Sequence, residues 1–147
     1  MKLAVSVLVV IHTAEFDVLL LERASHPGYW QSVTGSLDRL DEPLEAAAGR
    51  EVLEETGIDP AAGVLTGWPG ASSFEIYAQW RHHFAPGVTH NTEHVFTLAL
   101  AERQPVTLAP KEHLSFAWLA WREAAARCFS WSNRDAIRMI GEHAVIT

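Results

Sequence analysis

Gly35-Ser-Leu-Asp-Arg-Leu-Asp-Glu42-Pro-Leu-Glu-Ala-Ala-Ala-Gly-Arg50-Glu51-Val-Leu-Glu54-Glu55-Thr-Gly57-Ile58 is the stretch on which the architecture turns. From Pro43 to Thr56 it has the composition of a helix, with Asp41 or Glu42 as cap, Pro43 in the first turn and Gly57 at the end. Helical residues advance by about 100° each, so Glu51, Glu54 and Glu55 fall within roughly 100° of one another. Leu44, Ala47 and Ala48 occupy the same sector one and two turns earlier. A face that begins apolar, and should point inward, therefore turns triply acidic before the helix ends. Like charges at these spacings cost about 0.2–0.5 kcal/mol per pair, and partial burial costs more unless a cation compensates. Hard oxygen donors one turn apart suit Mg²⁺ or Mn²⁺. Arg50 can reach Glu54 at i+4. The plain alternative is a solvated acidic face, and spacing alone does not exclude it.

Working outward, Leu3 to Ile11 is β-branched and almost continuously apolar, the pattern of a strand covered on both faces. Phe16–Leu21 follows after a turn at Thr13–Glu15, and Trp30–Thr34 forms a further extended piece stopped by Gly35. Beyond the helix, strands are expected over 63–68, 74–83, 94–101 and 115–119, with a loop at Pro86-Gly87. A second long helix runs from Ser132 to His143, opened by the Ser132/Asp135 capping signal. This order predicts a layered α/β fold with a mixed sheet. Without repeats or long linkers, residues 1–147 are expected to form a single domain.

The 147 residues are 48% hydrophobic and 20% charged, an ordinary globular balance. No apolar run reaches the roughly 18 residues of a membrane-spanning helix. Met1-Lys2 and the apolar run behind it lack a convincing secretory cleavage site. A single cysteine, Cys128, precludes an intramolecular disulfide, so a cytoplasmic location is expected. The formal charge of −7 disfavours nucleic acid as a partner. It also means that a polyphosphate ligand would need positive charge brought to it.

The stretch resembles the Nudix box: glycine, five residues, glutamate, seven residues, then Arg-Glu-apolar-x-Glu-Glu-x-Gly-apolar. Glu42 and Arg50 to Ile58 match without a gap, whereas six residues, not five, separate Gly35 from Glu42. The likeness extends to Trp30–Ser36, Phe74–Ile76, Ala85–Thr89, Asn91–Glu93, Leu98–Leu100, Glu112–Leu114 and Ser130–Arg134. These segments are similar to the branch of the family that acts on a pterin triphosphate in folate biosynthesis.

The resemblance implies a Nudix-type α/β/α sandwich, with its mixed β-sheet between helices. It implies Mg²⁺-dependent hydrolysis of 7,8-dihydroneopterin triphosphate to the monophosphate and pyrophosphate, with Mn²⁺ as an alternative ion. By matching position, Glu51, Glu55 and Glu112 would hold metal, and Lys2, Arg23 and Thr34 would touch substrate. Glu54 leads as the residue that activates water, with Glu51 second, and Arg50 supports the group. Trp30 and Trp80 are candidate aromatic walls for a flat ring, against a core role for each. Zinc at His82, His83, His90 and His94 is disfavoured because adjacent strand residues point to opposite faces and no cysteine lies near. Nothing marks Cys128 as an activated nucleophile. The competing functions are a Nudix pyrophosphatase for nucleoside triphosphates and a non-catalytic ligand-binding Nudix module.

Overall fold

The computed structural model describes residues 1–146, with side chains through Ala144. Among them, one mixed sheet holds β1 (Val5–His12), β2 (Asp17–Arg23), β3 (Trp30–Gln31), β4 (Val33–Ser36), β5 (Val64–Gly67), β6 (Ser72–Glu75), β7 (His90–Ala99) and β8 (His113–Ala120). The helices are α1 (Leu44–Thr56), α2 (Trp121–Arg127) and α3 (Trp131–Ile146). Strand β1 is central, and its unbroken apolarity is explained by cover on both faces: Val7 to Ile11 are at most 1% exposed. Each such side chain contributes about 1.5–3 kcal/mol.

One edge of β1 runs parallel to β7 from Val5↔Thr92 to His12↔Ala99. Its other edge is shared: β4 pairs antiparallel with Ser6 to Val9, and β2 takes over only at His12↔Val18. Strands β2 and β4 therefore diverge, and Ser32 lies in the break between β3 and β4. On one side of the sheet Val7, Val9, Ile11, Leu19 and Leu21 pack with Ala47, Ala48 and Val52 of α1. On the other, Leu8, Val10, Val18 and Leu20 pack with Ala124 and Ala125 of α2 and with Ala136, Ile137 and Ile140 of α3. The result is the expected α/β/α sandwich. No helix is long and apolar enough to cross a membrane among the described residues.

Four local expectations are corrected. The strand expected over 74–83 ends at Glu75, and Ala78–His83 is a 3-10 helix, because Tyr77 and Trp80 turn to pack on Phe129. Trp30–Thr34 is split at Ser32, and extended structure continues through Gly35 to Ser36. Pro43 precedes α1 instead of entering it, and no side chain caps that end, since Glu42 is turned toward Arg50. Helix α3 begins one residue early, and the hydroxyl that accepts its Asn133 N–H belongs to Ser130, not Ser132. Helix α2 was not anticipated, because it follows β8 directly with no capping side chain.

Candidate active site

Helix α1 stops where glycine allows it: Gly57 adopts φ 72° and its N–H donates to the Leu53 carbonyl at 3.0 Å. The turns before it carry the acidic face. Strand β4 approaches so closely that a Cβ on Gly35 would fall on the Glu51 carboxyl group. Arg50 organises the group. It donates from Nε (3.0 Å) and Nη2 (3.1 Å) to the two Glu42 oxygens, and from Nη1 to Glu51 Oε1 (2.8 Å). Nη2 also meets the Ser36 carbonyl at 3.3 Å, and Nη1 reaches Glu54 at 3.4 Å. Hydrogen bonding from Arg50 holds the Glu42 carboxyl below the usual carboxylate range.

Glu42 is 8% exposed, and the Asp38 N–H caps one of its oxygens at 2.9 Å. The extra residue between Gly35 and Glu42 is thus absorbed in a surface turn. Leu37 stays in the core, Arg39 and Asp41 pair in solvent, and Glu42 still lands on Arg50.

The three acidic positions of the helix are not equivalent. Glu55 is 2% exposed, Glu51 is partly buried, and the Glu54 side chain is 57% exposed. Burial, then Glu51 and Glu112, push the Glu55 carboxyl well above its usual range, with Arg23 opposing. Glu51 is also raised, first by burial. One Glu55 oxygen, Oε2, is buried with no hydrogen-bond partner. Glu55, Glu112 and His113 each offer a donor atom, all within 4.8 Å of one another. Burial and then the Arg23 charge lower the His113 pKa to about 4, leaving a neutral imidazole 3.6 Å from Glu55 Oε1. A buried acceptor without a donor, ringed by carboxylates and a neutral imidazole, is a donor set that fits a divalent cation.

The structure brings Arg23 and Thr34 together through a residue not singled out from sequence. Arg23 Nη1 donates to Gln31 Oε1 at 3.1 Å, and Gln31 Nε2 to Thr34 Oγ1 at 3.4 Å. The Arg23 guanidinium also lies 4.7 Å from the Trp80 ring centre. Lys2 is anchored through its backbone, whose N–H donates to the His83 carbonyl at 2.8 Å. Partial desolvation and the charges of His82, Lys2 and Arg23 lower the His83 pKa. The Arg23 charge also acts on both Glu55 and Glu112.

His82 and His83 lie on the 3-10 helix with ring centres 4.0 Å apart, so the strand-alternation argument against pairing them does not apply. Neither belongs to a metal-compatible group among the described residues. Trp30 packs against the core on the α3 side, and burial pushes the Cys128 thiol up to about 12, where it is inert. His113 and Gln31 lie within the family-like segments 112–114 and 30–36, but nothing in their residue types or spacing assigned them a role. Only the neighbours Glu112 and Arg23 could have drawn attention to them.

The NUDIX domain model matches residues 2–140. Dihydroneopterin triphosphate diphosphatase of Escherichia coli K12 is 46% identical over 139 residues, 92% of this chain and 91% of the relative. Its Haemophilus influenzae counterpart is 37% identical over 136 residues, covering 90% and 84%. The structure of the E. coli dihydroneopterin triphosphate pyrophosphohydrolase superposes with a TM-score of 0.90 and 43% identity, covering 97% of each chain.

Proposed function

The chain belongs to the NUDIX family, and from that premise we propose that it hydrolyses 7,8-dihydroneopterin triphosphate to the monophosphate and pyrophosphate. Likeness to the bacterial diphosphatases along nearly the whole chain, not only in the glutamate helix, is the observation that carries this reading. Glu51, Glu55 and Glu112 would hold Mg²⁺, with His113 close enough to Glu55 to orient it or join it. When bound, the ion supplies positive charge to the phosphates and acidity to a water.

The remaining work falls to the chain's own residues. Arg23, fixed by Gln31 and Trp80, presents its fork of donors to phosphate oxygens. Thr34, linked to Arg23 through Gln31, and Lys2, whose charge acts on His83 together with that of Arg23, would complete that contact. Arg50 keeps Glu51 in place while itself anchored on Glu42. Glu54, exposed at the rim and held only by a 3.4 Å contact to Arg50, would take a proton from water, with Glu51 second in that role. We assign the protein a small-molecule substrate, a cytoplasmic location and a single domain.

The test is a panel of triphosphates assayed for pyrophosphate release with Mg²⁺. Dihydroneopterin triphosphate should give the highest kcat/KM, and a common nucleotide exceeding it would overturn the assignment.

A further inference from the structure

On the face of the sheet opposite α1 lies a set of buried polar groups that the phosphate site does not use. Leu8 and Val10 of β1 face α3, and by strand alternation Ser6 shares that face. Asn91 and Glu93 share it in turn, being four and two residues from Val95 on β7. Ser6 is in register with Glu93 on one side and with Ser36 on the other.

Glu93 is 4% exposed, yet its Oε1 has no partner, and the same holds for the buried Asn91 Oδ1 and Ser32 Oγ. Leaving such atoms unpaired costs about 1–3 kcal/mol each. What surrounds them is held firmly. Asn91 Nδ2 donates to Ser6 Oγ at 2.7 Å, the Ser32 N–H donates to Asn133 Oδ1 at 2.8 Å, and Ser132 hydrogen-bonds Glu93. Phe74 stands opposite Asn91 in register and meets Trp131 edge to face at 6.3 Å. Trp131 is 44% exposed and adjoins Ser132, so this aromatic pair borders the polar groups on the solvent side.

We propose that this cluster reads the heterocycle of the substrate, with the Glu93 carboxylate accepting from a ring N–H and the adjacent amino group of a 2-amino-4-oxopyrimidine edge. The inference rests on the pterin reading above, since dihydroneopterin carries that edge. Asn91 Oδ1 adds an acceptor and the Ser32 hydroxyl a donor for the ring carbonyl. The ring enters past Trp131, which flanks it together with Phe74. Thr34 lies on the same face, in register with Leu8 of β1. From β4 to β7 is two inter-strand spacings, about 10 Å, a length the three-carbon chain of dihydroneopterin and its first phosphate can bridge. The substrate thus crosses from one face to the other where β2 and β4 diverge.

The experiment compares kcat/KM of the full chain with Mg²⁺ on dihydroneopterin triphosphate, GTP, ITP and ATP. GTP carries the same donor pair, ITP lacks only the amino group, and ATP has neither ring N–H nor that amino group. Glu93→Gln should lower kcat/KM for dihydroneopterin triphosphate and GTP by about 10- to 100-fold. It should bring GTP and ITP to near parity and leave ATP almost unchanged. Glu93→Asp, which keeps both acceptors, should retain the preference for GTP over ITP. A thermal midpoint no lower than wild type shows that the Gln variant is folded.

Equal losses on all four substrates, or an unchanged GTP-to-ITP ratio, would overturn the proposal. If wild type instead prefers GTP to the pterin while Glu93→Gln still abolishes the preference over ITP, the pterin reading fails and the role of Glu93 stands.

Discussion

Two buried carboxylates lie on opposite faces of one sheet, and they are kept there by different means. Glu55 is crowded by Glu51 and Glu112, with Arg23 near, an arrangement that invites a cation. Glu93 has hydroxyls and an amide around it, and burial alone pushes it up to about 7. As proposed above, the first site grips phosphates through charge and is indifferent to what they are attached to. The second is a pattern of hydrogen-bond acceptors and suits one kind of ring. Grip and choice are thus separated by the thickness of a strand layer.

That separation can be broken in order of effect. Glu55→Gln should reduce kcat by at least about 100-fold with the fold intact, measured by pyrophosphate release and circular dichroism. In the same variant, Mg²⁺ should no longer raise the thermal midpoint, whereas in Glu93→Gln it still should. Near-normal turnover after Glu55→Gln would remove that residue from the mechanism.

The next effect is on stability and has the opposite sign. The folded pKa of Glu93, about 7, lies above its ordinary 4.5, so the fold prefers the protonated acid. Its contribution is complete below about pH 4.5 and is lost as the pH rises through 7. Without substrate, Glu93→Gln should therefore be the more stable protein at pH 8, by at most about 3 kcal/mol. The gain should vanish near pH 4.5, and urea denaturation at the two pH values measures it.

Gly35→Ala comes third. The new methyl meets only the flexible end of Glu51, so stability should fall by less than about 1 kcal/mol. Displacing that carboxylate should still slow turnover by about tenfold; equal rates would show that Glu51 need not sit against β4. The smallest effect sharpens the second site. Ser132→Ala removes the hydroxyl that holds the Glu93 pKa down and should move the pH window of instability upward, at a cost of about 1 kcal/mol above pH 7.

The two sites also differ in how much of them the sequence reveals. Glu51, Glu54 and Glu55 lie within five residues, and helical periodicity alone places them on one face. The second cluster joins Ser6 to Asn91 and Ser32 to Asn133, contacts that span 85 and 101 positions. No local period encodes such distances, although Asn91-Thr92-Glu93 stood out as a family-like segment. The layered fold was legible because β1 is apolar throughout and α1 is amphipathic. Ala78–His83 was not, since Tyr77 and Trp80 have strand-like propensity that contacts with Phe129 override. Helix α2 escaped for want of a cap, and His113 because its meaning depends on where β8 brings it.

The turn from Asp38 to Asp41 is moored at Leu37 in the core and at Glu42 on Arg50, and Asp38 is itself tied to both Glu42 and Arg50. Leu40 at its tip is 75% exposed and makes none of these contacts, so a short graft such as a fluorophore tag there should leave the Arg50–Glu42 pairing intact. A probe placed there would let substrate arrival be watched in real time.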